Sequence, residues 1–224
     1  MFISLGPNCH AAGNLTSLDL RNQSLPFDWL LCDEKRVFEY INDLINTNFC
    51  NFTTNLKYNN KEKVISANYE YVQFFHHDLL KNNTHRQVYH NFHDKKDYNE
   101  NLIEVMNRRG KKFMDIISNE DNEVIFLCMI NYNKLIKNGM IHDNKLFKDM
   151  INFDNNKNIK CKYKVLVYLH NKDDDLIIPN EVKKLNNFIF DKYVKNINVN
   201  RVYGDKNDFK KLLEKNKLLN NYKE

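Results

Sequence analysis

Glycine and proline are scarce: the 224 residues include 5 Gly and 3 Pro. That excludes collagen-like repeats and long Pro/Gly-rich linkers. No repeat and no compositional break marks a boundary, so one domain is expected over residues 1–224. Cysteine is also sparse. Cys9, Cys32, Cys50, Cys128 and Cys161 are odd in number and show no CxxC spacing. This argues against a disulfide framework and a structural zinc site. Reduced thiols are expected, hence a cytoplasmic protein (host cytoplasm or virion interior if the source is a virus). No apolar run approaches the ~18–20 residues of a membrane span. Met1 to Gly6 lacks the charged and long apolar regions of a signal peptide. No membrane partner is expected. Charge of one sign is missing too. The net +5 comes from 34 basic and 29 acidic residues, which disfavours a nucleic-acid partner.

What the chain does have is a core. Hydrophobic residues make up 42% and aromatics 12%, which excludes wholesale disorder. The mean hydropathy of −0.68 has a visible origin in 38 Asn and 28 Lys. Such enrichment is what an A/T-rich genome writes into surface positions.

Phe2 to Leu5 reads as a strand entering a Gly6-Pro7-Asn8 turn. Cys9 to Leu20 has helical spacing, with Asn8 as its N-cap. Leu25 to Leu31 is an apolar loop holding the single Trp29, and Asp33 caps a helix with Val37, Phe38, Ile41, Leu44 and Ile45 inward. Residues 50–63 read as loop, and Val64 to Phe75 as extended chain. Leu102 to Ile117 reads as a helix that Gly110 weakens. Glu123 to Ile130 and Tyr163 to Leu169 are strands apolar along their length, with a helix at Leu146 to Ile151 between them. Asn187 to Asp191 and Ile197 to Tyr203 are shorter strands, and Asp208 to Leu219 is a closing helix. Apolar strands alternating with helices indicate an α/β fold, a mostly parallel sheet with helices on both faces.

Cys9 is the sharpest candidate for chemistry. It stands at the first turn of a helix, where partial positive charge and free N–H groups favour a thiolate and can hold an oxyanion. A thiol nucleophile needs a base, most often His. His77 is the best of the eight His, because it ends an aromatic strand and precedes Asp78. Adjacent strand residues point to opposite faces, so Asp78 orients His77 only if the strand breaks there. Asp28, among Phe27, Trp29 and Leu30, is the other candidate acid, or else an anchor for its own loop. His10 adjoins Cys9, but neighbouring helical residues do not face each other. Asn8, Arg21 and Trp29 flank these groups and are the expected substrate-binding residues.

Other signals are weaker. His85, His90, His93 and Asp94 form a loose cluster with a surface-loop composition, so no metal or cofactor is expected. Arg108 to Lys112 reads as a solvated basic face. Against that, an Arg in a Lys-rich chain hints at a fork-shaped contact with an anion, which applies to Arg21, Arg108, Arg109 and Arg201.

The stretch Ser4-Leu5-Gly6-Pro7-Asn8-Cys9, then Leu20-Arg21, then Ser24 to Leu30 with its Pro26-Phe27-Asp28-Trp29, resembles the papain-like cysteine peptidase family of unknown function found in bacteria and large DNA viruses. The pattern's His-Asp pair falls on His77-Asp78, and its Arg-containing helix before a strand on Arg108-Arg109 and Val124 to Leu127. The first 30 residues carry nearly all of this likeness. The resemblance implies a Cys9–His77 nucleophilic pair acting on a peptide or small acyl substrate. It also implies a papain-like α+β fold, the alternative to the α/β reading. Two further functions stay open: an α/β module in which Arg21, Asp28 and His77 bind a glycan or nucleotide-sugar ligand, and a non-catalytic viral interaction protein.

Overall fold

The computed structural model describes residues 1–59, 63–74, 102–131, 145–170, 180–193 and 204–219. The expected strand at Ile197 to Tyr203 lies outside them, as do His77, Asp78, His85, His90, His93, Asp94 and Arg201.

A four-stranded parallel sheet forms the centre. It is built from β1 (Phe2–Ser4), β6 (Glu123–Asn131), β7 (Lys162–His170) and β8 (Phe188–Tyr193), in the order β1-β6-β7-β8. β6 and β7 pair over nine residues each, from Glu123↔Lys162 to Asn131↔His170. Their unbroken apolar character has a simple origin. Side chains alternate across a strand, and here each face meets its own core. Val124, Phe126, Cys128 and Ile130 join the larger core with Val165, Val167 and Leu169. Leu127 and Met129 join the smaller one with Leu166 and Tyr168.

Helices cover both faces. The larger core is closed by α2 (Val37–Asn46), α3 (Leu102–Ile117) and α4 (Lys145–Asp154), through residues such as Phe38, Ile41, Phe113 and Phe153. The smaller core is closed by α1 (His10–Ser17) and the closing helix, which is α6 (Lys206–Lys215) after the short α5 (Asn180–Lys183). α6 starts where the Asp205 carboxylate accepts the Asn207 N–H at 2.7 Å. This is the α/β architecture expected from the strand pattern. The papain-like α+β alternative gives way to it, because the Cys9 helix packs on a parallel sheet.

A second, antiparallel sheet was not apparent in the sequence. Its order is β2-β5-β4-β3, from β2 (Leu31–Cys32), β3 (Leu56–Tyr58), β4 (Val64–Ser66) and β5 (Tyr69–Gln73). Of the extended segment expected at 64–75, the described residues 64–74 hold a hairpin, and the stretch read as loop at 50–63 contributes β3. The Tyr69 hydroxyl donates to the Asp43 carboxylate and ties this sheet to α2.

α3 explains its own glycine. A Cβ on Gly110 would meet Phe49 Cδ1 at 2.8 Å, so the absent side chain is the seat of that ring. Packing here outweighs the helix propensity that glycine sacrifices.

Candidate functional site

The site begins where β1 ends. Leu5 N–H donates to the Leu127 carbonyl at 2.8 Å and continues the parallel pairing. The chain then turns at Gly6, whose φ of +81° suits glycine. A Cβ there would also stand 3.8 Å from the Phe27 carbonyl oxygen. The Gly6-Pro7 peptide is cis. Two backbone bonds fix the turn: Met129 N–H to the Gly6 carbonyl (3.2 Å) and Cys32 N–H to the Pro7 carbonyl (2.8 Å). Asn8 Oδ1 accepts the His10 N–H at 2.9 Å in a turn just before the helix. The N-cap is Cys9, one residue later than expected, and it has no side-chain capping bond. Cys9 is the boundary residue of α1, and its carbonyl accepts the Gly13 N–H at 2.8 Å.

Cys9 is therefore half-buried, at a helix N-terminus and beyond the carboxyl end of a strand in a parallel sheet. In open α/β sheets that edge is where ligands bind. The remaining thiols differ. Burial pushes Cys32 and Cys128 well above the ordinary thiol value and Cys161 to about 11. Cys50 is exposed, in the chain between α2 and β3.

His10 belongs to the scaffold. Its Nδ1 lies 2.9 Å from the Tyr168 hydroxyl, and its ring packs against Tyr193 and Phe209. These contacts pin the first turn of α1 to β7, β8 and α6. Glu34, which the sequence reading passed over, is buried and accepts the Asn131 N–H at 2.7 Å, at the carboxyl end of β6. Directly after a capping Asp33, its residue type does not set it apart from an ordinary first-turn acid.

The second half of the motif forms a closed knot. Arg21 Nη1 meets Asp28 Oδ2 at 2.6 Å, with side-chain exposures of 8% and 2%. The same Oδ2 accepts the Leu25 N–H at 2.6 Å. Ser24 Oγ accepts from Arg21 (3.2 Å) and from Trp29 Nε1 (3.4 Å). The Arg21 guanidinium also lies over the Trp29 ring, 5.4 Å from its centroid. Burial pushes the Asp28 carboxyl above its ordinary value, opposed by Arg21, the Leu25 N–H and Arg109. The structure thus places Asn8 beside Cys9, while Arg21, Asp28 and Trp29 are gathered into one buried group.

Arg109 was read as part of a solvated basic face, and that reading is corrected. It is 1% exposed, on the face of α3 that holds Val105, Met106, Phe113 and Ile116, and its charge acts on Asp28. Arg108, Lys111 and Lys112 do face solvent. The scarcity of Arg among Lys was the signal that pointed to Arg109.

Residues 1–173 match a family described as putative papain-like cysteine peptidase. The chain belongs to this family. The matched span runs from β1 through the end of β7. It includes both halves of the motif, all of the antiparallel sheet and Arg109. No curated protein and no solved structure matches the chain. Among the described residues, no helix is long and apolar enough to cross a membrane.

Proposed function

We propose that the chain is a thiol-dependent hydrolase acting on peptide bonds or small acyl compounds, with Cys9 as nucleophile and His77 as base. The observation that carries this reading is the position of Cys9: half-buried, at the N-cap of α1, on the carboxyl edge of a parallel sheet. The helix terminus supplies the electrostatics that a thiolate needs.

The antiparallel sheet supports the choice of base. Pro7, two residues before Cys9, bonds to Cys32, and β2 pairs with β5 through Leu31↔Gln73 and Cys32↔Val72. His77 follows Gln73 by four residues, a length of chain that spans at most about 14 Å. The turn carrying the thiol and the strand leading to the histidine are thus joined through one short strand.

In the proposed reaction His77 takes the Cys9 thiol proton as Sγ bonds to the substrate carbonyl carbon. N–H groups at the start of α1 hold the resulting oxyanion. The tetrahedral species collapses, the C–N or C–O bond breaks, and His77 returns the proton to the leaving amine or alcohol. A water, deprotonated by His77, then releases the acid from the Cys9 thioester. Asp28 serves as the brace that holds its loop, and Asp78 is the carboxylate left to orient His77.

The test is acyl transfer to Cys9. The full chain is mixed with a fluorogenic peptide library and with p-nitrophenyl esters, and intact mass is followed alongside turnover. The proposal expects turnover, an acyl adduct on Cys9, and loss of both in Cys9→Ser. Turnover that persists in Cys9→Ser overturns it, as does an inert wild type whose Cys9 takes up no acyl group.

A further inference from the structure

A pocket of about 380 Å³ opens beside β1, between the last turn of α1 and the segment that carries the Arg21–Asp28 pair. Its size falls within the ~300–1,000 Å³ typical of small-molecule sites. Its lining takes residues from β1, α1 and the segment around 19–28, and none from the turn at 5–9. It is therefore separate from the edge where Cys9 stands.

The chemistry of the wall limits the occupant. Arg21 and Asp28 both line the pocket, and they neutralise each other. Asp19 adds a negative charge at the rim, which disfavours a phosphate or a carboxylate. A cation would meet the guanidinium. A neutral ligand meets neither penalty. Gln23 both donates and accepts, and Arg21 offers a charged donor beside it. Arg21 Nε, enclosed behind this wall, has no acceptor among the described residues. Leu20 supplies an apolar patch next to these polar groups, backed by the buried Leu15. Hydroxyl groups donate and accept together, and a saturated ring presents a C–H face to an apolar patch.

We propose that this pocket binds one neutral sugar or polyol ring, with hydroxyls shared between Arg21 and Gln23 and the ring face on Leu20. The inference is independent of the thiol chemistry proposed for Cys9. Saturation-transfer NMR on the full chain tests it. The probes are D-glucose, D-mannose, N-acetyl-D-glucosamine and myo-inositol, with sodium phosphate and sodium acetate as anionic controls. At least one neutral probe saturates in the millimolar range. Its affinity falls at least about tenfold in Leu20→Trp, which fills the pocket, and about threefold or more in Gln23→Ala, which removes a hydrogen-bonding partner. Gln23 is half-exposed, so that variant keeps its fold and decides the matter if Leu20→Trp does not. The proposal is overturned if no neutral probe saturates. It is equally overturned if binding survives Gln23→Ala and any folded Leu20→Trp, or if phosphate or acetate displaces the sugar from the same residues.

Discussion

Cys9 and Asp28 belong to the same N-terminal motif, yet their surroundings are opposite. Cys9 is half-buried, on a turn held by backbone bonds from Met129 and Cys32. Asp28 is enclosed and bonded to Arg21 and the Leu25 N–H. The difference separates two tasks that the sequence presents as one. A reactive group must be reachable and must stand in a field that activates it. A buried ion pair must instead be satisfied on all sides, because desolvation offsets its Coulomb energy. In the proposed reading, one half of the motif carries the chemistry, and the other holds the loop that crosses Gly6.

The largest expected effect tests the closed half. Asp28→Ala leaves Arg21 buried without its partner and costs about 3–5 kcal/mol in urea denaturation. Replacing both together, as Arg21→Met with Asp28→Leu, recovers most of that loss. A cost below about 1 kcal/mol, the value of a surface pair, would end the contrast with Cys9.

Gly110→Ala comes next. The new methyl meets Phe49 inside the larger core, and overpacking of this kind costs about 1–3 kcal/mol. A stabilised variant would mean that Phe49 yields and that helix propensity decides instead.

A smaller effect depends on pH. Glu39 accepts from Arg36 at 2.7 Å and lies 3.3 Å from Lys145 of α4. The Arg36 hydrogen bond, against some desolvation and with help from Lys145, holds its carboxyl below the ordinary value. The folded state therefore binds this proton less readily than the unfolded chain. The contribution is present above the unfolded value and is lost as pH falls through the folded one. Glu39→Gln is expected to cost under about 1 kcal/mol at neutral pH. The gap from wild type should close in acid melts.

The smallest effect belongs to the open half. Cys9→Ser should shift stability by no more than about 0.5 kcal/mol, as for a position outside the packed core. A large loss on denaturation would make Cys9 a packing residue and remove the contrast.

The legible parts of this fold are those where one local rule dominates. β6 and β7 are apolar on both faces and announce a covered parallel sheet. Asp33 caps as its residue type predicts, accepting the Lys35 N–H at 3.2 Å in the turn that leads into α2, whereas Asn8 stands one residue before the N-cap, which is Cys9. The antiparallel sheet escaped notice because β2 is two residues inside an apolar loop, and β3 is an edge whose Lys57 and Tyr58 are exposed. Neither carries an alternating pattern long enough to read. Arg109 was masked by its neighbours in sequence. Positions 108, 111 and 112 share one face of a helix, and 109 falls with 105, 106, 113 and 116 on the other. In the candidate site, Cys9 and its turn were legible from residue types alone. The anchoring of Asp28 stayed an open alternative, because a buried acid reads the same whether it orients a base or braces a loop.

The most direct test is the pH dependence of Cys9 alkylation by iodoacetamide, in wild type and in His77→Ala. A thiolate paired with imidazole reacts fast well below pH ~8, near which a free thiol titrates. The account predicts that behaviour in wild type and its loss in His77→Ala, with the fold retained. A Cys9 that is inert, or that titrates as a free thiol whether or not His77 is present, contradicts it.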